Sequence, residues 1–178
     1  MEWTVHGWRS IYESEWVSVR QADVELPDGQ RLWHHVAHYP NKAAAALVAV
    51  PERGVLMLWR HRFITDSWGW ELPAGRIDPG EQPIETAARE TEEEAGWRPG
   101  PLSPLTSYHP SNGSSDQTFY VFMATEAEHI GEPTDTNEAD RVEWVPVADL
   151  RGLIADGHVT DGFSLTALGV AFTLGHIG

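Results

Sequence analysis

GRIDPGEQPIETAARETEEEAGW, residues Gly75–Trp97, opens with a glycine- and proline-bearing loop and runs into an acid-rich helix. Pro83 suits the first helical turn, where its missing N–H costs nothing. Ala87, Ala88 and Ala95 favour helix, and Gly96 stands where a left-handed C-terminal cap is expected. At about 100° per residue, Ile84, Ala88, Thr91 and Ala95 cluster within roughly 60° as a narrow packing face. Glu90, Glu93 and Glu94 fall together on a different side, while Glu92 points away from Glu93 and reads as solvated. Like charges at these spacings destabilise a helix by ~0.2–0.5 kcal/mol per pair. Two readings follow. One is a solvated acidic face, the commoner meaning of a charge run. The other is a site for a hard divalent cation, since Mg²⁺ takes oxygen ligands and usually binds through few carboxylates plus substrate phosphates.

Composition narrows the class. The chain has 178 residues, enough for a sizeable core, and no cysteine, which excludes disulfides and thiolate chemistry. Its formal charge of −15, from 27 acids against 12 bases, argues against nucleic-acid backbone binding and suits cation binding. No signal-peptide pattern follows Met1, and the longest apolar run, Ala43–Val50, is too short to span a bilayer. The expectation is a cytoplasmic protein with neither a membrane nor a nucleic-acid partner. Nine tryptophans divide between core or subunit contacts and planar-ligand contacts.

Outside the opening stretch, residues 1–40 read as strands, with Leu26-Pro27-Asp28-Gly29 as a turn. Alone, this piece would expose Trp3, Trp8, Trp16 and Trp33, so it needs a cover. Packing on the main domain or exchange with a second subunit would supply one. Residues 1–40 are thus expected to form an N-terminal strand unit and residues 41–178 the principal domain. Ala43–Val50 and Gly54–Trp59 read as a hairpin of buried strands, followed by the basic cluster Arg60-His61-Arg62. Leu102–His109, Thr118–Ala124 and Arg141–Val145 read as further strands. Glu126–Asp140 reads as a mobile acidic loop and Val147–Ala155 as a short helix. Asp161 is expected to cap a last helix with Phe163, Ala167, Val170, Ala171 and Leu174 on one side. The order is a mixed α/β domain preceded by a small strand-rich piece.

The spacing from Gly75 through Glu81, Arg89-Glu90 and Glu93-Glu94 to Gly96-Trp97 matches the box of the Nudix hydrolases, G-x5-E-x7-R-E-U-x-E-E-x-G-U. Every charged and glycine position agrees. Thr91 replaces a bulky aliphatic residue on the packing face, where a smaller contact is expected. Trp70-Glu71-Leu72-Pro73-Ala74-Gly75, the His109–Gly113 loop with Ser115-Asp116, and the N-terminal strands resemble the ADP-ribose pyrophosphatase branch, from about Ser10 to Leu174. The resemblance implies an α/β/α sandwich around a mixed sheet, preceded by a small antiparallel sheet exchanged between the subunits of a homodimer. It also implies Mg²⁺- or Mn²⁺-dependent hydrolysis of a nucleoside diphosphate linked to another moiety. Two departures bear on substrate. Asn112 stands where the branch has proline after the loop serine, and Arg60-His61-Arg62 replaces Gln-Tyr-Arg.

Pyrophosphate hydrolysis needs neutralised phosphate charge, a nucleophilic water and a base, and hard cations serve the first two needs. The expected metal ligands are Glu90, Glu94 and Glu93, with the Ala74 backbone carbonyl that the family also uses. Arg89 either holds Glu93 in place or forms a surface ion pair. Glu81 reaches a metal through water or stabilises its loop. The resemblance points to Glu138 as the base, with Glu132 and Asp135 as rivals and Glu93 as an alternative. For substrate, Arg62 is assigned to phosphate or the terminal ribose and Glu71 to a sugar or base edge. Trp68, or Trp16 or Trp33 of a partner chain, would stack a base, and Ser111 would contact the far end. The expected reaction splits ADP-ribose into AMP and ribose 5-phosphate. Alternatives are another nucleotide sugar such as GDP-mannose, a non-catalytic nucleotide-sugar sensor, and a purely structural acidic domain.

Overall fold

A computed structural model describes all residues, 1–178, and resolves them into two units, one of residues 1–42 with 109–118 and one of residues 43–108 with 119–178. In the first, β1 (Thr4–Glu13), β2 (Ser18–Glu25) and β3 (Arg31–His38) form an antiparallel three-stranded sheet in that order. Gly29, at φ +86°, makes the β2–β3 turn and donates its N–H to the Leu26 carbonyl at 2.9 Å. The 109–118 loop is tied to β3. The Asp116 carboxylate pairs with His38, and the Ala37 N–H donates to the Ser114 carbonyl at 2.8 Å. Trp3, Trp8, Ile11, Tyr12 and Trp16 are all more than half exposed.

The second unit is built on a mixed sheet. It contains β4 (Ala43–Val50), β5 (Gly54–Arg62), β6 (Ser67–Glu71), β7 (Ala74–Arg76), β9 (Ser103–Tyr108), β10 (Phe119–Ala124) and β12 (Arg141–Val145). The main path runs β12-β5-β4-β10-β9, with β6 on β5 and β7 on β4. β4 and β10 are parallel, and the other pairs are antiparallel. The expected β4–β5 hairpin is present but pairs only at Ala49↔Val55 and Val50↔Gly54. Beyond those rungs β4 takes up β7, and β5 takes up β6. A short ribbon pairs β8 (Trp97–Pro99) with β11 (Ala127–His129).

The unbroken apolar run of β4 follows from burial on both faces. Ala44, Ala46 and Val48 join Leu56 and Leu58 against α1 (Pro83–Ala95). Leu47 and Ala49 join Val55 and Met57 on the opposite face, with Leu150 of α2 (Val147–Ala155) and Ala167, Leu168 and Ala171 of α3 (Gly162–Thr173). This is the expected α/β/α sandwich. Asp161 caps α3, its Oδ2 accepting the Ser164 N–H at 3.0 Å. The buried face of α3 differs from the expected one: Ser164 and Leu168 are buried, whereas Leu174 is 59% exposed. No helix is long and apolar enough to cross a membrane.

Two readings of the opening stretch change. The buried residues of α1 are Thr86, Ala87, Thr91, Glu94 and Ala95, whereas Ile84 is exposed. Glu94 therefore belongs to the packing face, although it shares one turn with the less buried Glu90 and Glu93. The cause is that a buried guanidinium and a backbone amide receive its charge. Thr91 fills its buried position with its hydroxyl satisfied, donating to the Ala87 carbonyl at 2.7 Å. The 126–140 segment, read as a mobile loop, contributes β11 and is anchored to the end of α1. The Thr134 and Asp135 N–H groups both donate to the Glu93 carbonyl, at 2.9 and 3.0 Å.

Candidate active site

The helix is held at both ends. At the start, Gln82 and Glu85 form reciprocal side-chain-to-backbone bonds. At the end, Gly96 adopts φ +71°, and its N–H donates to the Glu92 carbonyl at 3.0 Å. A side chain there would also lie 2.2 Å from the Gly131 carbonyl oxygen, so glycine is required twice over. Between these caps, Glu90, Glu93 and Glu94 occupy one turn.

Each carboxylate meets an arginine. Arg89 Nη1 donates to Glu90 Oε1 and to Glu93 Oε2, both at 2.8 Å, while its Nε donates to Glu81 Oε1 at 2.9 Å. Arg89 thus ties the loop to the helix, and the bonds it donates to Glu81 foremost raise its pKa further. Glu81 also accepts from the Thr86 hydroxyl, and Arg89 first among its partners holds its carboxyl down at about 2. Burial pushes Glu90 above the usual carboxylate range, against the pull of Arg89. Glu92, the residue read as solvated, accepts from Arg98 Nε at 2.7 Å.

Glu94 is 2% exposed. Its Oε1 accepts from Arg60 Nη2 at 2.6 Å and its Oε2 from the Ala74 N–H at 2.9 Å. Burial pushes its carboxyl up, and the Arg60 guanidinium and the Ala74 N–H oppose that rise by favouring the ionised form. Arg60, equally buried, also reaches Glu138 Oε2 at 3.3 Å and Glu71 Oε2 at 3.9 Å. Of the sequence-predicted residues, Glu94, Glu138 and Glu71 are therefore gathered by an arginine that sequence reasoning passed over. The signal was strand parity. Leu56 and Leu58 face α1, so Arg60 continues a fully buried stripe, and a cation there needs carboxylate partners.

Arg62 and Glu71, expected to make separate substrate contacts, bind each other. Arg62 Nε lies 3.0 and 3.1 Å from the two Glu71 oxygens, and its Nη2 lies 2.6 Å from Oε2. This bidentate pair lines a pocket of about 770 Å³ with Trp68, Ala74, Gly75, Asp161 and Phe163. Trp68 is half exposed and stacks on Trp59 at 6.1 Å, and Phe163 stacks on Phe119 at 4.1 Å. The aromatic wall from α3 was not foreseen, because Phe163 read as an ordinary core position. Ser111 belongs to the first unit, where its hydroxyl lies 2.6 Å from that of Ser114.

Gly75 connects pocket and helix. It lines the pocket, and a Cβ there would stand 2.0 Å from Glu90 Oε1. The glycine leaves a cradle that the carboxylate fills. No group of three or more His, Asp or Glu side chains converges on a single point, since each carboxylate is turned to an arginine. The donor set still fits a hard cation. It is all oxygen, it lies within one turn, and the cradle keeps side chains away from Glu90.

Residues 40–163 match the NUDIX domain family and residues 3–37 the nucleoside diphosphate sugar hydrolase N-terminal domain. The chain belongs to the Nudix hydrolase family, as the box implied. It is 41% identical to the CMP-5'-(N-acetyl-N-hydroxy-3-aminopropyl)phosphonate hydrolase of Streptomyces rubellomurinus, over 98% of this chain and 84% of that protein. It is 30% identical to the ADP-ribose pyrophosphatase of Bacillus subtilis, over 89% and 86%. In structure it matches an ADP compounds hydrolase with a TM-score of 0.86 at 19% identity, covering 98% of this chain and 94% of the other, a likeness of fold. The chain is thus a hydrolase of a family that acts on nucleotide substrates and generally uses divalent cations.

Proposed function

We propose that the chain hydrolyses the phosphoanhydride of a nucleoside diphosphate joined to a second moiety, with ADP-ribose, split into AMP and ribose 5-phosphate, as first substrate. The observation that carries this is the continuity at Gly75, where a pocket with a paired arginine and an exposed tryptophan meets the carboxylate turn of α1. Arg62, oriented by Glu71, binds phosphate charge, and Trp68 stacks a planar base. Glu90, Glu93 and Glu94, with the Ala74 carbonyl, hold Mg²⁺ or Mn²⁺, and Arg89 keeps Glu90 and Glu93 in position. When bound, the cation neutralises phosphate charge and lowers the pKa of water. Glu138, 47% exposed in its side chain, accepts the proton of the attacking water. The water oxygen bonds to one phosphorus, the bridging P–O bond breaks, and a nucleoside monophosphate leaves.

A second reading is a nucleotide-linked phosphonate, favoured by the name of the 41% identical relative. A Mg²⁺-dependent panel of ADP-ribose, GDP-mannose, UDP-glucose, NADH, diadenosine polyphosphates and a cytidylyl phosphonate, with products identified, separates the readings. Preference for the phosphonate replaces the first reading, and turnover of none refutes both.

The domain and partner readings belong to the same proposal. Residues 1–40 act as a dimer-exchanging unit and residues 41–178 as the catalytic domain, and a homodimer forms through the exposed aromatics of β1 and Trp16. Sedimentation checks this: a monomer at micromolar concentration refutes it. A cytoplasmic location goes with this reading.

A further inference from the structure

We propose that Arg60 is a built-in cation that competes with the divalent metal for Glu94, so that Glu94 joins Glu90 and Glu93 as a ligand only with nucleotide bound, and the free enzyme takes a single cation, at Glu90 and Glu93. The proposal rests on the reading of these glutamates as metal ligands.

The two arginines of the site are placed differently. Arg89 touches Glu90 and Glu93 but also holds Glu81 through Nε at 2.9 Å and Nη2 at 3.1 Å. When a cation arrives at Glu90 and Glu93, Arg89 keeps a carboxylate partner, and its side chain is 30% exposed, where water can solvate it. Arg60 has no such retreat. Its side chain is 2% exposed and its Nε has no hydrogen-bond partner. Of its carboxylates, Glu71 is already bound bidentately by Arg62, and Glu138 lies at 3.3 Å on a more exposed side chain. Glu94 at 2.6 Å is its principal counter-charge.

The same contacts look different from Glu94. One oxygen is taken by Arg60 and the other by the Ala74 N–H. A hard cation needs carboxylate lone pairs, and a guanidinium hydrogen-bonded to Oε1 both occupies one and repels the incoming charge. A divalent ion at Glu94 has to push aside a buried arginine that has nowhere better to go. The guanidinium therefore supplies at Glu94 part of the charge balance that a second metal would bring.

The test counts Mn²⁺ bound to the full-length free protein by electron paramagnetic resonance and calorimetry, without nucleotide, for the wild type, Arg60→Gln and Arg60→Lys. Glutamine keeps a hydrogen-bonding side chain of moderate length and removes the charge, whereas lysine keeps the charge. The expected result is a single Mn²⁺ per chain in the wild type and in Arg60→Lys. Arg60→Gln should take a second Mn²⁺, or bind about tenfold more tightly. Its melting temperature should also rise more on adding Mn²⁺ than the wild type's, and folding of Arg60→Gln only in the presence of Mn²⁺ supports the proposal as well. Unchanged stoichiometry and affinity in Arg60→Gln overturn it, with the metal reading intact. Two Mn²⁺ in the wild type overturn it even where Arg60→Gln fails to fold. No Mn²⁺ binding in any variant refutes the metal reading itself, and this proposal with it.

Discussion

Gly75→Ala separates the catalytic demand on the box from its structural demand. The added Cβ would meet Glu90 Oε1 at 2.0 Å, Cδ at 2.1 Å and Oε2 at 2.6 Å, and Cβ contacts under 3.0 Å are essentially never seen. The carboxylate must retreat by at least about 1 Å. Its obstacle is the end of a flexible side chain and Gly75 is not at positive φ, so the backbone accepts alanine. Moving Glu90 off its rotamer costs about 0.5–1.5 kcal/mol, which leaves the fold intact. A misplacement of about 1 Å at a reacting centre can cost ~10²-fold in rate, or about 2.7 kcal/mol of barrier. Gly75→Ala should therefore melt within a few degrees of wild type yet turn over about a hundredfold more slowly at saturating Mg²⁺. Urea melts and steady-state kinetics on the same preparation check both halves. Wild-type turnover, or global unfolding in place of a catalytic defect, refutes the reasoning.

Glu93→Gln and Glu94→Gln should each lower turnover at least about tenfold with the fold retained, read by kinetics alongside circular dichroism; near-full activity in both removes the metal assignment. Trp68→Ala should raise KM about tenfold and leave kcat nearly unchanged, since the half-exposed ring packs on Trp59 at the pocket wall and contributes uniform binding. Glu81 supplies a pH test. Its folded pKa of about 2 lies below the model-compound value of 4.5, so its stabilising contribution is complete above about pH 5 and is lost as pH falls through about 2. The stability gap between wild type and Glu81→Gln, from urea melts, should be constant from pH 5 to 7 and shrink towards pH 2; a gap that widens on acidification contradicts this sign.

Much of the architecture was legible because local signals agreed. Pro83, Gly96 and the alanines of α1, the unbroken apolar run of β4, and Asp161 before α3 each act through short-range physics that a sequence displays. What the sequence hid was set by tertiary partners. Glu94 looks like any glutamate on an acidic helix until Arg60, thirty-four positions away, arrives beside it. Arg62 and Glu71 read as independent ligand contacts, because in the β5–β6 register Arg62 stands opposite Ser67 and Glu71 opposite Leu58, and only the reach of the arginine side chain joins them. The 126–140 segment reads as mobile from its composition, whereas its anchoring to the Glu93 carbonyl depends on where α1 ends. The Nudix box displays the reaction class, while the pocket beside it is assembled from β5, β6 and the start of α3.

On the proposed function, this site cleaves a nucleotide phosphoanhydride with the help of a divalent cation. Phosphorus NMR of ADP-ribose incubated with the enzyme and Mg²⁺, followed by excess chelator, tests it most directly. The anhydride resonances should give way to the phosphomonoester signals of AMP and ribose 5-phosphate, and chelator should stop the conversion. Anhydride resonances that persist with Mg²⁺ and Mn²⁺ alike, for ADP-ribose and for a cytidylyl phosphonate, would contradict the proposed function.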